Sequence, residues 1–451
     1  MIVKNKSQLL SQGNIEGRRI ALNLVEYAIT VVNAYAAAKK RIQRKGDRFT
    51  VDNLQYDLSS LGQIYVVGGG KASFPIAQAL EEIFNERIAK GVVSVKRGES
   101  RRLRRIEVIE AGHPIPDEKS LEAGNKIVEL AKNVKKGDIV FCAISGGASA
   151  LLSLPAGDIT LEDKREITDM LLKCGARIDE INCVRNHISS IKGGKLAELL
   201  REAEIINLII IDEVAGQPWG PTAPDNTTFQ DAVNVLEKYD LWKKTSDTVK
   251  DYLERGRGDP SLETPKSFED LRIHNVILAD NQIMCEAVEK KARELGLKPL
   301  ILSTVTEAES REAGIVLGSI AREAELRNRP AAPPCVLIMG GETTVTIPSQ
   351  HGKGGPSQEF ALGACLKIAG SESITVVSID TDGTDGPTDI AGGITDGFTL
   401  ERAKKNNIDI YRGLITHNAY EVLMEIRDAV ITEPTDTNVM DLNLAVVIRE
   451  K

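Results

Sequence analysis

The stretch VVGGGKASF, residues 66–74, decides how this chain is to be read. An apolar run of strand length meets three glycines and a lysine, and apolar residues at helical spacing follow. In open α/β sheets, ligands sit beyond the carboxyl ends of strands. Glycine lets backbone approach there, and amides at helix starts face anions. Three other strand ends repeat the pattern: CAISGGASALL from 142, LIMGGETT from 337 and SIDTDGTDG from 378. Lys71 does not complete a Walker A loop, which would need Gly where Tyr65 stands and Ser or Thr where Ala72 stands. Nor is the turn a dinucleotide fingerprint. Ser73 replaces the third glycine, and the next strand ends in Lys96 and Arg97 instead of an acid for the ribose. Lys71 is better read as a fixed cation at the mouth of a cleft.

Working outward, residues 17–45 show apolar residues at helical spacing and predict one long amphipathic helix. Short apolar runs then alternate with helical patterns, with strands expected near 63, 91, 105, 138 and 206. This rhythm predicts a parallel sheet with helices on both faces. The polar, Gly- and Pro-containing segment 253–271 reads as a domain junction. It gives a first domain over 1–255, to which the last strand (about 436–451) is free to return, and a second α/β domain over 256–451. Strands of the second series are expected near 274, 298, 334, 343, 374 and 442.

The chain has 451 residues, 42% hydrophobic and 27% charged, with a formal net charge of −8. Such a balance argues against nucleic acid or an anionic membrane as partner, so any bound anion must be met by a local cluster of donors. No window approaches the roughly 18 apolar residues of a membrane span, and the first residues lack a signal-peptide core, so a cytoplasmic location is expected. The six cysteines form no CxxC pair and read as free, mostly buried thiols. The five histidines show no zinc-site spacing, and His113 reads as a loop residue.

Two dense polar stretches remain. Asp380, Asp382, Asp385 and Asp389 lie within ten residues. They suit either a hard cation bridged to a substrate phosphate or a series of Asx turns. In INCVRNHISSIKGGKLAELL, from 181, Asn182, Arg185, His187, Lys192 and Lys195 precede an apolar helix. The RNH triplet before Gly-Gly suits a carboxylate- or phosphate-docking surface, whereas the two lysines suit a solvated face equally well.

These segments, with AGHPIPDEKS, GPTAPDNTTF, GKGGPSQEFAL and TDTNVMDL, occur in the order seen in the class II glycerate kinases, which the chain resembles over residues 15–448. The resemblance implies a large N-terminal Rossmann-like domain followed by a smaller MOFRL domain. It further implies ATP-dependent phosphorylation of D-glycerate on its 2-hydroxyl, in a cleft between the domains, giving 2-phosphoglycerate and ADP. ATP and Mg²⁺ or another divalent cation are the cofactors implied, with D-glycerate and ATP the small-molecule partners of a monomer or homodimer.

On this resemblance Lys71 is the active-site lysine, and Asp212 or Glu213 takes the place of an acid near the substrate. Arg185 is the candidate for pairing bidentately with the glycerate carboxylate. Substrate and nucleotide contacts fall on Gly69, Gly70, Ser145, Gly146, Gly147, Asn182, His187, Lys192, Gly341, Glu342, Gln358, Glu359 and Asp385. Asp382, Asp385 and Glu342 are the metal candidates.

Three departures stand out. Pro356 replaces the arginine of the family's GGRNQE. The family's SDVVGD appears as IDEVAGQPWGPT, several residues shorter, with Gln217 where a second acid would be. GTNVNDL reads DTNVMDL, with Asp436 and Met440 substituted, a change expected to touch packing alone. Rival readings are an NAD(P)H-dependent hydroxypyruvate reductase and a non-catalytic binder of phosphorylated hydroxy acids.

Overall fold

A computed structural model describes residues 2–98, 101–214 and 220–449. The chain forms two compact units. One comprises Ala38–Ile210 with Gln217–Leu278, the other Met1–Ala37 with Ile211–Gly216 and Ala279–Lys451.

The first of these begins with an antiparallel ribbon of β1 (Ile42–Lys45), β2 (Arg48–Val51) and β3 (Leu54–Asp57). There follow β4 (Ile64–Gly69), β5 (Ile88–Lys96), β6 (Ile106–Ala111), β7 (Ile139–Ile144), β8 (Glu204–Ile210) and β9 (Arg272–Ala279), in the sheet order β6-β5-β4-β7-β8-β9. The ladders from β6 through β8 are parallel. β4 and β7 are buried at every residue, as expected of central strands covered on both faces. The order runs away from β4 in one direction and from β7 in the other. The gap between their carboxyl ends is therefore the topological switch point, where open α/β sheets hold ligands.

The other unit is built on β10 (Lys298–Thr306), β11 (Cys335–Gly341), β12 (Ile374–Asp380), β13 (Gly392–Asp396), β14 (Ala429–Val430) and β15 (Asp441–Val447), ordered β10-β11-β15-β12-β13-β14. β10 and β11 run parallel and every other ladder is antiparallel. Helices Ser310–Arg327 and Pro356–Ile368 cross closely because glycines remove side chains at the contact. A Cβ on Gly314 would lie 2.1 Å from the Phe360 carbonyl oxygen, and one on Gly363 would lie 2.3 Å from that of Arg311.

Several sequence expectations need correction. The helix expected over 17–45 is two, Ile15–Val32 and Ala34–Arg41, bent by 53°. Asn33 breaks it by taking an extended backbone, accepting the Ala36 N–H on its side chain (3.0 Å) and donating to the Thr435 carbonyl (3.3 Å). The first helix belongs with residues 279–451 and not, as expected, with the rest of 1–255. The strand near 274 edges the first sheet, and the last strand is central to the second. Residues 343–348 form no strand and make a single bridge, Thr344 to Glu309. All six cysteines are free, and Cys174 alone of them is exposed. Among the described residues no single helix is long and apolar enough to cross a membrane.

A buried ion network fastens the first helix to its unit. Arg18, fully buried, lies 2.5 Å from Asp396 and 2.8 Å from Asp428, and Arg402 lies 2.6 Å from Asp428. Removing one member strands the rest in a low dielectric. Arg18→Met is expected to lower unfolding free energy by about 3–5 kcal/mol, read as a shifted urea midpoint; a midpoint within error of wild type would show that the network carries no such weight.

Candidate active site

At the switch point the loops after β4 and β7 touch backbone to backbone. Gly70 has φ +144°, and a Cβ there would lie 2.2 Å from Ser145 Oγ and 2.4 Å from Ser145 O, so only glycine fits. The loops are stitched by Lys71 N–H to Gly146 O (2.8 Å), Ala72 N–H to Ser145 Oγ (2.9 Å) and Ser73 Oγ–H to Ala143 O (2.9 Å). Ser145, fully buried, thus serves as a strut between the loops, while Gly69 and Gly146 supply backbone to it. Lys71 is left half-buried on top. Gly147 (φ +80°) lies under the ring of His113, where a Cβ would meet the imidazole at 2.9 Å. His113 lies in a loop, as expected, and its ring packs against the Ser-Gly-Gly turn.

The basic segment reaches the same place. Helix Ile178–His187 carries Asn182 and Arg185, both half-buried, and burial lowers the Arg185 pKa. Lys192 donates to Ser149 Oγ (2.7 Å), tying the segment to the Ser-Gly-Gly turn. Lys195 donates to the carbonyls of Ser189 (2.7 Å) and Asn186 (3.2 Å), and burial pulls its pKa down to about 8. Neither lysine is part of a solvated face. His187 is the exception to the expected docking surface. It is fully buried, and its ring bridges the Cys183 carbonyl (2.8 Å) and the Glu263 carboxylate (2.9 Å), which leaves no ring nitrogen for a ligand.

In the other unit, β11, β15 and β12 bring acids side by side. Gly341 pairs with Asp441, and Asp441 pairs with Asp380, so Glu342, Asp441 and Asp380 share one end of the sheet. Asp441, which the sequence reading passed over, accepts from Thr343 N–H (3.0 Å) and from the hydroxyls of Thr343 (3.1 Å) and Ser357 (3.3 Å). Burial nevertheless raises its pKa to about 7, helped by the nearby charge of Glu342. Asp385 accepts the amides of Ser357 (3.1 Å) and Gln358 (2.9 Å) at the start of helix Pro356–Ile368. Those amides favour the carboxylate, but burial and the proximity of Asp441 outweigh them and raise its pKa to about 8. Asp380 is pushed well above the usual range by desolvation, Asp382 and Asp441.

Several named residues hold structural posts. Asp382 closes an Asx turn on Thr384 N–H (2.9 Å) and Oγ1 (2.8 Å). Gln358 donates to Thr388 Oγ1 (2.9 Å) and the Asp385 carbonyl (3.2 Å), and Glu359 accepts from His417 Nδ1 (2.8 Å). Pro356 is the first residue of its helix, where a missing N–H and a fixed φ are no handicap. Asp212 receives Asn438 Nδ2 at 3.4 Å, and Glu213 beside it is half-buried. Gln217 lies outside the described residues. Asp436 and Met440 both take left-handed backbone, φ +59° and +67°. Among the described residues no three Asp, Glu, His or Cys side chains are arranged to share a metal ion, so Asp382, Asp385 and Glu342 form no ready-made cage.

Residues 20–254 match a domain of unknown function, DUF4147, and residues 335–441 match the MOFRL family. Over 440 residues the sequence is 44% identical to a Pyrococcus horikoshii protein named glycerate 2-kinase, covering 96% of this chain and 98% of that one. The chain belongs to the glycerate kinase family. Within that family the fold is shared closely with a Thermotoga maritima crystal structure titled glycerate kinase, at TM-score 0.85 and 35% identity over 95% of this chain and 99% of that one. An Agrobacterium vitis relative, 37% identical over 86% of this chain and 87% of its own length, carries the name putative hydroxypyruvate reductase.

The raised carboxyls make stability depend on pH. Asp385 holds its proton up to about pH 8 when folded and releases it near 3.8 when unfolded. Over that window the folded state binds more protons, so its contribution is full at low pH and is lost as pH rises through about 8. Melting from pH 4 to 9 should show Asp385→Asn, which keeps an oxygen for the helix amides, losing less stability with rising pH than wild type. The difference is bounded by about 1.4 kcal/mol per pH unit for one proton; parallel curves would refute the assignment.

Proposed function

We propose that this chain is an ATP-dependent glycerate 2-kinase, transferring the γ-phosphoryl group of ATP to the 2-hydroxyl of D-glycerate to give 2-phosphoglycerate and ADP. The observation that carries the reading is the switch point itself: two glycine-built loops with Lys71 above them and Arg185, Lys192 and Lys195 nearby in the same unit, in a chain of net charge −8.

Phosphoryl transfer asks little covalent chemistry of a protein and much positioning of charge. Lys71 stabilises the negative charge spread over the transferring oxygens. Arg185 offers a planar fork to the acceptor's carboxylate, and Lys192 holds its place through Ser149. Asp212 or Glu213 takes the hydroxyl proton, with Asn438 orienting Asp212. The carboxylates of Asp385, Asp380, Asp441 and Glu342 suit a hard divalent cation in chemistry though not as a closed cage, and they are the residues that would hold Mg²⁺. Bound there, the ion supplies charge neutralisation.

The hydroxypyruvate-reductase reading draws on the name of the Agrobacterium relative. Against it, Ser73 stands where a dinucleotide fingerprint has its third glycine, its hydroxyl committed to Ala143, and β5 ends in Lys96 with no acid to take a ribose.

A coupled assay with ATP, Mg²⁺ and D-glycerate is expected to release ADP with 2-phosphoglycerate as product. Release of 3-phosphoglycerate would overturn the regiochemistry, and oxidation of NADH or NADPH by hydroxypyruvate without ADP release would favour the reductase. Lys71→Ala should lower kcat by roughly 10²–10³-fold with far less change in KM for ATP; turnover like wild type would remove Lys71 from the chemistry.

A further inference from the structure

Helix Ile178–His187 is held differently at its two ends. Ile178 and Asp179 at its start are exposed, whereas its last turn is gripped by side chains from two later stretches of chain. Asp225, buried, accepts from Asn186 Nδ2 (3.1 Å) and is itself fixed by the Thr227 N–H (3.0 Å) and hydroxyl (2.7 Å). Glu263 accepts from His187 Nε2 (2.9 Å), and Asp225 approaches the other ring nitrogen to 4.0 Å. The two stretches also hold each other, because the Asp225 N–H donates to the Pro265 carbonyl (2.9 Å). They close on the chain at Gly193 (φ +60°), where a Cβ would lie 3.0 Å from Thr264, 3.1 Å from Asn186 and 3.2 Å from Asp225.

Glu263 is the hub of this clasp. Its carboxylate also accepts the N–H groups of Thr264 (2.8 Å) and Phe229 (3.2 Å) and the Lys266 ammonium (3.1 Å). Burial opposes its charge, yet these donors together with His187 hold the carboxyl down to about 2. On the opposite edge of the His187 ring, Nδ1 lies 2.8 Å from the Cys183 carbonyl, and Phe229 packs against the ring with 4.7 Å between centroids. The imidazole is thus set from both edges and from one side. An apolar pair of similar volume often holds a helix end at least as firmly as a buried polar one. What the hydrogen-bonded pair adds is a fixed rotation of the helix.

Arg185 stands two residues before His187, about 200° around the helix, so the clasp grips the side away from the guanidinium. We propose that Glu263 is a positioning residue of the acceptor site. Through His187 it sets the rotation of the turn that carries Arg185, and so fixes the direction from which Arg185 meets the carboxylate of the small hydroxy acid. A bidentate guanidinium–carboxylate pair tolerates little rotation, so loosening the clasp costs affinity for the acid. That the ligand is such an acid, and that Arg185 touches it and not the nucleotide, rests on the kinase reading above, whereas the clasp does not.

Three variants test this: Glu263→Ala; His187→Gln, whose amide N–H stands in for the Nε2 donor; and His187→Asn, whose shorter amide reaches Cys183 but not Glu263. Calorimetry with D-glycerate and, separately, with ATP without metal reads binding without turnover, and steady-state assays read KM against kcat. The expected result is D-glycerate binding at least tenfold weaker in Glu263→Ala and His187→Asn, recovered to within threefold of wild type in His187→Gln, with ATP affinity within twofold throughout. A clasp that merely held the fold together would lower the melting temperature and move both ligands alike or neither. A smaller loss in Glu263→Ala, equal losses for ATP and D-glycerate, or no difference between the two His187 variants would overturn the role, and so would wild type that binds no D-glycerate. If one variant fails to fold, the others decide by the same comparison. Wild type that binds D-glycerate without forming 2-phosphoglycerate would sink the kinase reading, and the Glu263 role would still be judged on binding alone.

Discussion

Arg18 shows what this fold demands of a buried charge. It lies fully inside, and two carboxylates, Asp396 and Asp428, answer it at 2.5 and 2.8 Å, with Arg402 closing the network from the other side. Opposite charges at that separation in a low dielectric offset their own desolvation, so the group is structural and silent. A cluster of buried acids breaks that rule. Asp380, Asp385 and Asp441 have one another for neighbours. That set is out of electrostatic balance within its own unit and needs a proton or a cation.

In the other unit, the switch point supplies the place where a ligand can sit. Parallel strands that leave β4 and β7 in opposite directions open their loops to a ligand, and the missing side chain at Gly70 lets those loops lock together through backbone and the Ser145 hydroxyl. Rigid backbone then carries Lys71. The basic segment is attached to the stretch after β7 by Lys192 on Ser149 and by Ser189 and Ser190 on the carbonyls of Leu154 and Pro155.

Much of this was legible in the sequence. Strand ends announced themselves because an apolar run followed by glycine has few other uses, and the motifs after β4, β7, β11 and β12 fell where they were expected. Features fixed by pairing partners were not legible. The β1–β3 ribbon is too short and polar to signal itself, and the antiparallel ladders of the second sheet depend on β15, which enters last and lies in the middle. Asn33 reads as an ordinary helical residue until Thr435 and Ala36 are placed beside it. At the site, residue type pointed to His187, and only its partners show it to be a strut.

The split ownership of the first helix has a consequence for the chain's birth. Arg18 leaves the ribosome 378 residues ahead of Asp396 and 410 ahead of Asp428. At about 5–20 residues per second that is roughly 20–80 s during which an amphipathic helix has no counter-charge and no groove. All of Ala38–Leu278, and so the whole parallel sheet apart from its last residue, is synthesised in that interval. The nascent protein therefore carries a finished sheet and a waiting helix at once, a period in which that helix is open to chaperones, and the arrival of the final third of the chain releases it.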